Sequence, residues 1–563
     1  MLDLRSEQKN GGLTMGFDIL IKNGKVVDGC GNPWFRADIG VKDGKIEAVG
    51  KLEDAQAGQE IDAEGNTVSP GFIDPHNHSD FVISQKNNAE ILEPFIRQGI
   101  TTLFTGNCGF SPAPLIRENL PLLKAYSSFA YAGELEWSWE SMGDFLDYLE
   151  GNGVALNVAN QAPQGGIRIA AMGFEARPAT ESEMSLMKRL VEESLQGGAF
   201  GLSTGLMYPP GMYTKPDEIV ELAKILPKYD ALYNTHQRGL SETLLQSTNE
   251  AIETAKKAGC PVHISHLLAL GRRNWPLIEK ALDLVEKARA QGIDITFDTY
   301  PYTGGNTTAL AICPPWALDK GVDGVMQYLQ DPSMREKIKK DIDETIPTWP
   351  HWETGYWSDN LVRNAGWNRL LAISIPSQKN KHLEGLSFQK IAEQQGKTPF
   401  DAYADLVVEE RGDVVILILD VSGDDQNEEE MMKILLHPLC SVMTDALITG
   451  TGKPVPGAYG NFPRMLGRYV RELGLIRLEE AIRKMTSLSA QRFGIKDRGA
   501  IREGNWADIT IFDPETVIDK ATFEDPFHYP EGIKYVLING HVVLENNEYR
   551  SNLNPGKVLR KSG

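Results

Sequence analysis

The sequence predicts an α/β fold: a (β/α)8 TIM-like barrel, a small β-sandwich domain formed from both chain termini, and a long insertion before the last barrel strand. Three observations predict it. Eight short apolar runs alternate with helical stretches between residues 70 and 450, the rhythm of a parallel sheet closed on itself. Strand–turn–strand patterns stand at both ends of the chain. One interval between successive apolar runs, 302–440, is far longer than the others.

The elements follow in order. Residues 1–15 read as a tail: MLDLRSEQKNGGLTMG lacks the apolar stretch of a secretory signal, and Met15 offers a second possible start. Residues 16–69 form the N-terminal half of the β-domain, where DILIKNGKVVDG and ADIGVKDGKIEAVG alternate around Asn-Gly and Asp-Gly hairpin signals. Residues 491–552 supply the other half through ADITIFDP and IKYVLINGHVVLENNEYR, the latter pairing two runs across Asn539-Gly540. Chain ends commonly lie close together, so one domain can draw on both. Residues 553–563 read as a second tail. The barrel spans 70–490, with strands expected at 71–78, 99–107, 154–161, 199–205, 231–236, 261–266, 294–301 and 441–446. Helical stretches such as PDEIVELAKILPKY and LLQSTNEAIETAKKAG lie between them. The 302–440 insertion holds five of the ten tryptophans and is expected to be a lid or subdomain over the site. VVILIL at 414–419 rivals 441–446 as the eighth strand.

Composition narrows the function. The 563 residues are 41% hydrophobic and 24% charged, which is globular. The longest apolar run near the middle, Val414 to Leu419, is six residues, against the ~20 that span a bilayer. The net charge of −20 repels phosphate backbones and anionic lipids, which argues against nucleic-acid and membrane partners. Five dispersed cysteines are odd in number and suit a reducing compartment, hence the cytoplasm. A small-molecule substrate is the expected partner, and an oligomer stays open.

The chemistry lies at the strand ends, where parallel barrels build their active sites. His76 and His78 end the first strand, Cys108 follows the second, and His236, His266 and Asp445 end the fifth, sixth and eighth. Four of only ten histidines stand at such positions. His76 and His78 are spaced by two, so on a strand both imidazoles point the same way. Imidazoles with a carboxylate suit Zn²⁺, Fe, Ni or Cu. Cys108, between glycines in TGNCGFSP, becomes a thiolate candidate beside a metal. His263 lies an odd three positions from His266 and reads as structural. His351, His382, His437, His528 and His541 read as surface or packing residues.

HNH after a GFID strand, histidines on later strands, an aspartate on the last and a split terminal β-domain together resemble the amidohydrolase superfamily. TGNCGFSPAP, GLSTGLMYPPG, FDTYPYTGG, FPRMLGRYVRE and EAIRKMTSLSAQRFGIKDRGAIREG resemble its D-aminoacylase (N-acyl-D-amino-acid deacylase) family, over about Asp18 to Asn552. TGNCG is the specific part. Most superfamily members bridge two metals with a modified lysine or a glutamate after a middle strand; GLSTG offers neither, and this family uses a cysteine after the second strand. The resemblance implies a tight Zn²⁺ site from Cys108, His236 and His266, and a weaker second site from His76, His78 and Asp445 with Cys108 shared. It implies that Asp445 is the general base and acid in removing the acyl group from an N-acyl-D-amino acid. Tyr208 and Tyr302 match tyrosines lining the family's pocket.

Two departures bear on the substrate. The family commonly has a lysine two residues after the sixth-strand histidine, where it can hold a substrate carboxylate; here that residue is Leu268. Either another cation replaces it, with Arg272, Arg273, Arg238 and Arg168 nearby in sequence, or the substrate lacks that carboxylate. PQGG, with Gln164, replaces a frequent GHG-type turn after the third strand. The alternative is hydrolysis of another C–N bond on the same scaffold, in a dipeptide, a cyclic amide or an uncharged N-acyl amide. A non-catalytic scaffold barrel is a further alternative, although no expected ligand is lost.

Overall fold

The computed structural model describes residues 16–355 and 357–561. The expected tail at 1–15, including Met15, lies outside the described residues. All eight expected barrel strands form, each shorter than the apolar run around it. They are Phe72–Asp74, Ile100–Thr105, Asn157–Asn160 continued by Ala162–Pro163, Gly201–Gly205, Leu232–His236, Val262–Ile264, Ile295–Thr299 and Cys440–Val442. The strands that pair do so in parallel, in this order. Their residues are buried on both faces, as parallel strands under a layer of helices must be. The first and eighth strands meet just past their ends. Asp445 N–H donates to the His76 carbonyl and His78 N–H to the Ala446 carbonyl, each at 2.9 Å. The buried Asp74 carboxylate accepts from Thr444 N–H and Oγ1 at 3.0 and 2.6 Å across the same seam.

Helix boundaries follow local chemistry. Glu181–Gln196 starts at a capping box of Thr180 and Glu183. Its buried Met187, Leu190, Val191, Ser194 and Leu195 recur at helical spacing and form the stripe that meets the sheet. Leu244–Ala258 ends at Gly259, whose φ of 70° closes the last turn.

The termini build one domain, as the sequence predicts. Gly16–Val26 pairs antiparallel with Phe35–Lys42 and parallel with Gln56–Asp62 and Thr67–Pro70. Thr67–Pro70 in turn pairs with Ile509–Phe512, which joins the two ends of the chain. The nine strands make one continuous hydrogen-bonded sheet, wrapped around a core that includes Ile19, Ile39, Val41, Ile509, Ile511 and Leu537. The expected tail at 553–563 is corrected over its described part. Val158 N–H donates to the Lys557 carbonyl, Leu559 N–H to the Val158 carbonyl, and Lys561 N–H to the Gly198 carbonyl. This segment lies where the third and fourth strands do not yet pair, and it satisfies backbone groups of Val158 that would be orphaned there.

The insertion is a subdomain with its own antiparallel sheet, in the order Gly304–Thr308, Val415–Leu419, Leu370–Ser374 and Leu386–Ser387. Its core includes Val325, Leu329, Ile338, Phe388, Ile391 and Tyr403. Val415–Leu419, the rival for the eighth barrel strand, is a central strand of this sheet. Cys440–Val442 holds the barrel position by pairing with Ile295–Thr299. An apolar run buried on both faces reads the same in either setting. Helix Glu429–Leu436 already belongs to the barrel, tied to helix Leu277–Ala290 by Lys433 and Glu279 at 2.7 Å. No helix among the described residues is long and apolar enough to cross a membrane.

Candidate metal centre

The structure brings His76, His78, Cys108, His236, His266 and Asp445 together at the C-terminal mouth of the barrel. Cys108 Sγ lies 3.3 Å from His76 Nε2, 3.5 Å from His236 Nδ1 and 3.6 Å from His266 Nε2. Asp445 Oδ1 lies 3.3 Å from His76 Nε2 and 3.5 Å from His78 Nε2. Three overlapping sets have donor atoms within 4.8 Å of one another: His76–His78–Cys108, Cys108–His236–His266 and His76–His266–Asp445.

Backbone geometry builds this cluster. His76 and His78 lie past the end of the first strand, yet the backbone bonds to 445 and 446 continue a strand-like ladder, so both rings stay on one side. Their centroids are 5.4 Å apart. Cys108, His266 and Asp445 each adopt a left-handed conformation, with φ of 52°, 33° and 48°. Side chains other than glycine pay a conformational cost there, which the surroundings must impose. For Cys108 the surroundings are explicit. The buried Asp80 carboxylate accepts from Gly106 N–H, and Ser203 Oγ accepts from Gly109 N–H at 3.3 Å. Gly205 lets the Cys108 carbonyl approach so closely that a Cβ there would stand 1.9 Å from it. Gly165 meets the Gly109 carbonyl in the same way, its notional Cβ at 2.8 Å. The glycines of GLSTG and PQGG thus leave room for the cysteine loop. Gln164 itself is turned away, its amide donating to Thr214 Oγ1 at 3.0 Å.

Sequence reasoning missed Asp298, at the seventh strand. Its Oδ2 pairs with His263 Nε2 at 3.0 Å and stands 3.7 Å from His76 Nδ1, while Oδ1 accepts from His266 N–H. His263 is therefore structural, as expected, but it backs the centre through this carboxylate. The parity argument could not place His266, because the sixth strand ends at Ile264.

The electrostatics suit a cation. Burial alone would raise the Cys108 thiol, but the imidazoles of His76 and His236 outweigh it and hold the group well below its usual value. Burial, with His266 beside it, pushes His236 down to about 4. Burial would lower His76 and His78, but Cys108 and Asp445 outweigh it and raise both, so protons on these imidazoles balance the buried negative charge where a metal ion would otherwise do so. The mixed sulfur and nitrogen donor set fits a divalent metal of the zinc type.

The chain belongs to the amidohydrolase family. The profile described as "Amidohydrolase family" (Amidohydro_3) matches residues 59–339 and 429–544, leaving most of the insertion outside. The D-aminoacylase of Alcaligenes xylosoxydans xylosoxydans is 32% identical over 97% of this chain and 98% of its own length. A crystal structure of D-aminoacylase, 31% identical, superposes with a TM-score of 0.78 over 97% of this chain and all of that one. So does the N-acyl-D-glutamate deacylase of Bordetella bronchiseptica, 30% identical, with TM-score 0.78, 97% of this chain and all of that one covered. That enzyme is complexed with zinc and a phosphonate that mimics the tetrahedral intermediate.

Beside the donor cluster Tyr208 lines a cavity, its hydroxyl 3.0 Å from Thr307 Oγ1 and its ring edge-on to His236 at 4.9 Å. Tyr302 does not line it. The Tyr302 hydroxyl donates to Asp519 Oδ2 at 2.7 Å under the Arg464 guanidinium. Tyr300, two residues earlier, lines the pocket instead. Arg272 and Arg273 also lie away from it. Arg272 is 61% exposed at its side chain and pairs with Asp420 and Asp424. Arg273 donates to the Arg363 carbonyl and faces Glu242 at 4.0 Å. Arg238 is buried against Glu250, and Arg168 against Glu218.

Proposed function

We propose that the protein is a metal-dependent hydrolase that removes the acyl group from an N-acyl-D-amino acid or a close derivative of one. One observation carries the reading: a thiol, four imidazoles and a carboxylate meet at the barrel mouth, in a chain 32% identical to a D-aminoacylase over nearly its full length. Cys108, His236 and His266 would hold a tight Zn²⁺. His76, His78 and Asp445 would hold a second, weaker metal, with Cys108 shared. When bound, zinc supplies Lewis-acid polarisation of the amide carbonyl and a water acidic enough to attack at neutral pH.

The chain's own groups supply the rest. Asp445 takes the proton of the attacking water and delivers it to the departing amine nitrogen, a transfer typically worth ~10²–10⁴-fold. Its carboxylate is held in place by the backbone on both sides. Asp445 N–H bonds the His76 carbonyl, the Asn306 amide donates to the Asp445 carbonyl at 2.9 Å, and the Asn461 amide caps the carbonyls of Met443 and Thr444. Tyr208, packed on His236, forms a wall of the cavity. The free state of all five cysteines, four of them buried, agrees with work in the cytoplasm.

The test is amine release from matched N-acetyl-D- and N-acetyl-L-amino acids and their carboxamides, with and without added Zn²⁺. Metal-dependent turnover confined to the D series is expected. Equal turnover of both series, or none on zinc-loaded protein, would overturn the reading.

A further inference from the structure

The mouth of the barrel is divided. Asn306 and Thr307, on the insertion strand Gly304–Thr308, cross above the centre, and the Tyr208 hydroxyl meets Thr307 Oγ1 from the barrel side. Two cavities result, and each is lined by His78, Cys108, Tyr208, Asn306 and Thr307. The first is walled by Leu240, Leu268, Leu270, Ile418 and Val421. The second is walled by Phe81, Phe110, Phe129, Ala130 and Leu447. A linear amide held at the metal centre has one substituent on its carbonyl carbon and one on its nitrogen, so the two cavities match the two arms of such a substrate.

Apart from the imidazoles of the metal centre, the side chains that wall the two cavities are uncharged or carry a carboxylate. The carboxyl carbon of an N-acyl amino acid is two bonds from the amide nitrogen, so it cannot reach beyond whichever cavity holds that arm. The first cavity offers it aliphatic side chains, the Tyr300 hydroxyl and the Asp445 carboxylate. The second offers aromatic rings and the Asp80 carboxylate. The Asn306 amide is held in place on both sides, Nδ2 donating to the Asp445 carbonyl and Oδ1 accepting from Leu447 N–H. Among the described residues that line either cavity, none is a lysine or arginine. Burying a carboxylate without a partner is strongly unfavourable, and more so beside another carboxylate.

We propose that the substrate is an N-acyl compound uncharged on both sides of its amide, with an aliphatic arm in the Leu268 cavity and an apolar arm in the Phe110 cavity. This rests on the amide-hydrolase reading above and narrows its substrate class to carboxamides or esters in place of free acids. In such a substrate the Tyr300 hydroxyl donates to the neutral carbonyl that stands where the carboxylate would be.

Two measurements test it separately. On metal-free protein, calorimetric titration compares N-acetyl-D-leucinamide with N-acetyl-D-leucine. The carboxamide is expected to bind at least tenfold more tightly, and equal or tighter binding of the acid would overturn the proposal whatever the catalytic outcome. On zinc-loaded protein, kcat/KM for the same pair is expected to favour the carboxamide by at least tenfold. A preference for the acid overturns the inference and leaves the amide-hydrolase reading standing, whereas turnover of neither compound, with zinc stoichiometry verified, overturns both. Leu268→Lys supplies the converse. It is expected to move the preference toward the acid by tenfold or more in a variant that still unfolds cooperatively, and a folded variant with the parent's preference would count against the assignment of that wall.

Discussion

The carboxylate of Asp298 makes the sharpest prediction, because it touches the centre only through other groups. It is fully buried. Burial would raise its pKa, but His263 and then His76 draw it well below the ordinary carboxylate range. Asp298→Asn keeps the shape and an acceptor for His266 N–H, but removes the charge and sets an NH₂ against one of the imidazoles. Carboxylates behind metal-bound histidines typically carry 10–100-fold in metal affinity, which is ~1.4–2.7 kcal/mol. An independent count agrees, since one buried donor left without its partner costs ~1–3 kcal/mol. Competition against a chromophoric zinc chelator measures the effect directly, with the melting temperature of the metal-free variant confirming that the barrel persists. The expected result is a 10–100-fold weaker zinc affinity, with kcat restored to within about threefold by excess zinc. A zinc affinity within twofold of the parent would refute the reasoning, because Asp298 would then be packing and nothing more.

Three other substitutions separate the roles at the site. Asp445→Asn should retain at least the metal held by Cys108, His236 and His266 while kcat falls ~10²–10⁴-fold; near-parental turnover would remove its role in proton transfer. Cys108→Ala should lose both tightly bound metal, read by elemental analysis, and activity. Gly205→Ala places a methyl group 1.9 Å from the Cys108 carbonyl, so it should displace the cysteine loop and abolish tight metal binding; a variant with parental zinc content would show that the loop yields cheaply. The last prediction concerns pH. Burial raises Asp359, which accepts from Leu240 N–H and Ser241 Oγ, from 3.8 to about 7. Between those values the folded state holds a proton that the unfolded state has released, so the stability this group contributes is lost as pH rises toward 7, at no more than ~1.4 kcal/mol per pH unit. The melting temperature of Asp359→Asn relative to the parent should therefore increase from pH 5 to pH 7.5, and a constant difference would contradict the raised value.

How much of this was readable in the sequence depends on which signal each feature leaves. The barrel and the split terminal domain are written in local patterns: period-2 runs bounded by Asn-Gly turns, and apolar strands spaced by helices. All eight strands were legible for that reason. Val415–Leu419 was ambiguous because a central antiparallel strand and a buried parallel strand share one composition, and only pairing partners tell them apart. The role of 557–561 was hidden for a different reason. Its backbone, not its side chains, does the work, completing the hydrogen bonding of Val158, and backbone pairing leaves no compositional trace. Tyr300 and Tyr302 are of one residue type and two positions apart, so the sequence did not tell which ring lines the pocket.

The six clustered side chains were legible as residue types at strand ends, but their convergence was not. Strand parity brings two groups to one side only while the chain stays extended, and here the strands end before His76, His78, Cys108, His266 and Asp445. Three of these five instead sit in left-handed conformations, each costing ~1–3 kcal/mol. A fold sustains such a cost where the surroundings over-determine the backbone, and at Cys108 they do so through Asp80, Ser203 and the closeness of Gly165 and Gly205. Those residues lie on the fourth strand and on the segments that follow the first and third, and none belongs to the clustered donor set. The sequence signature TGNCG is thus only half of the cysteine site, and GLSTG is the other half. A carboxylate or lysine at position 205 would collide with the backbone that presents Cys108. The missing side chain on the fourth strand is therefore the steric condition for the thiolate on the second, and the two motifs should change together or not at all.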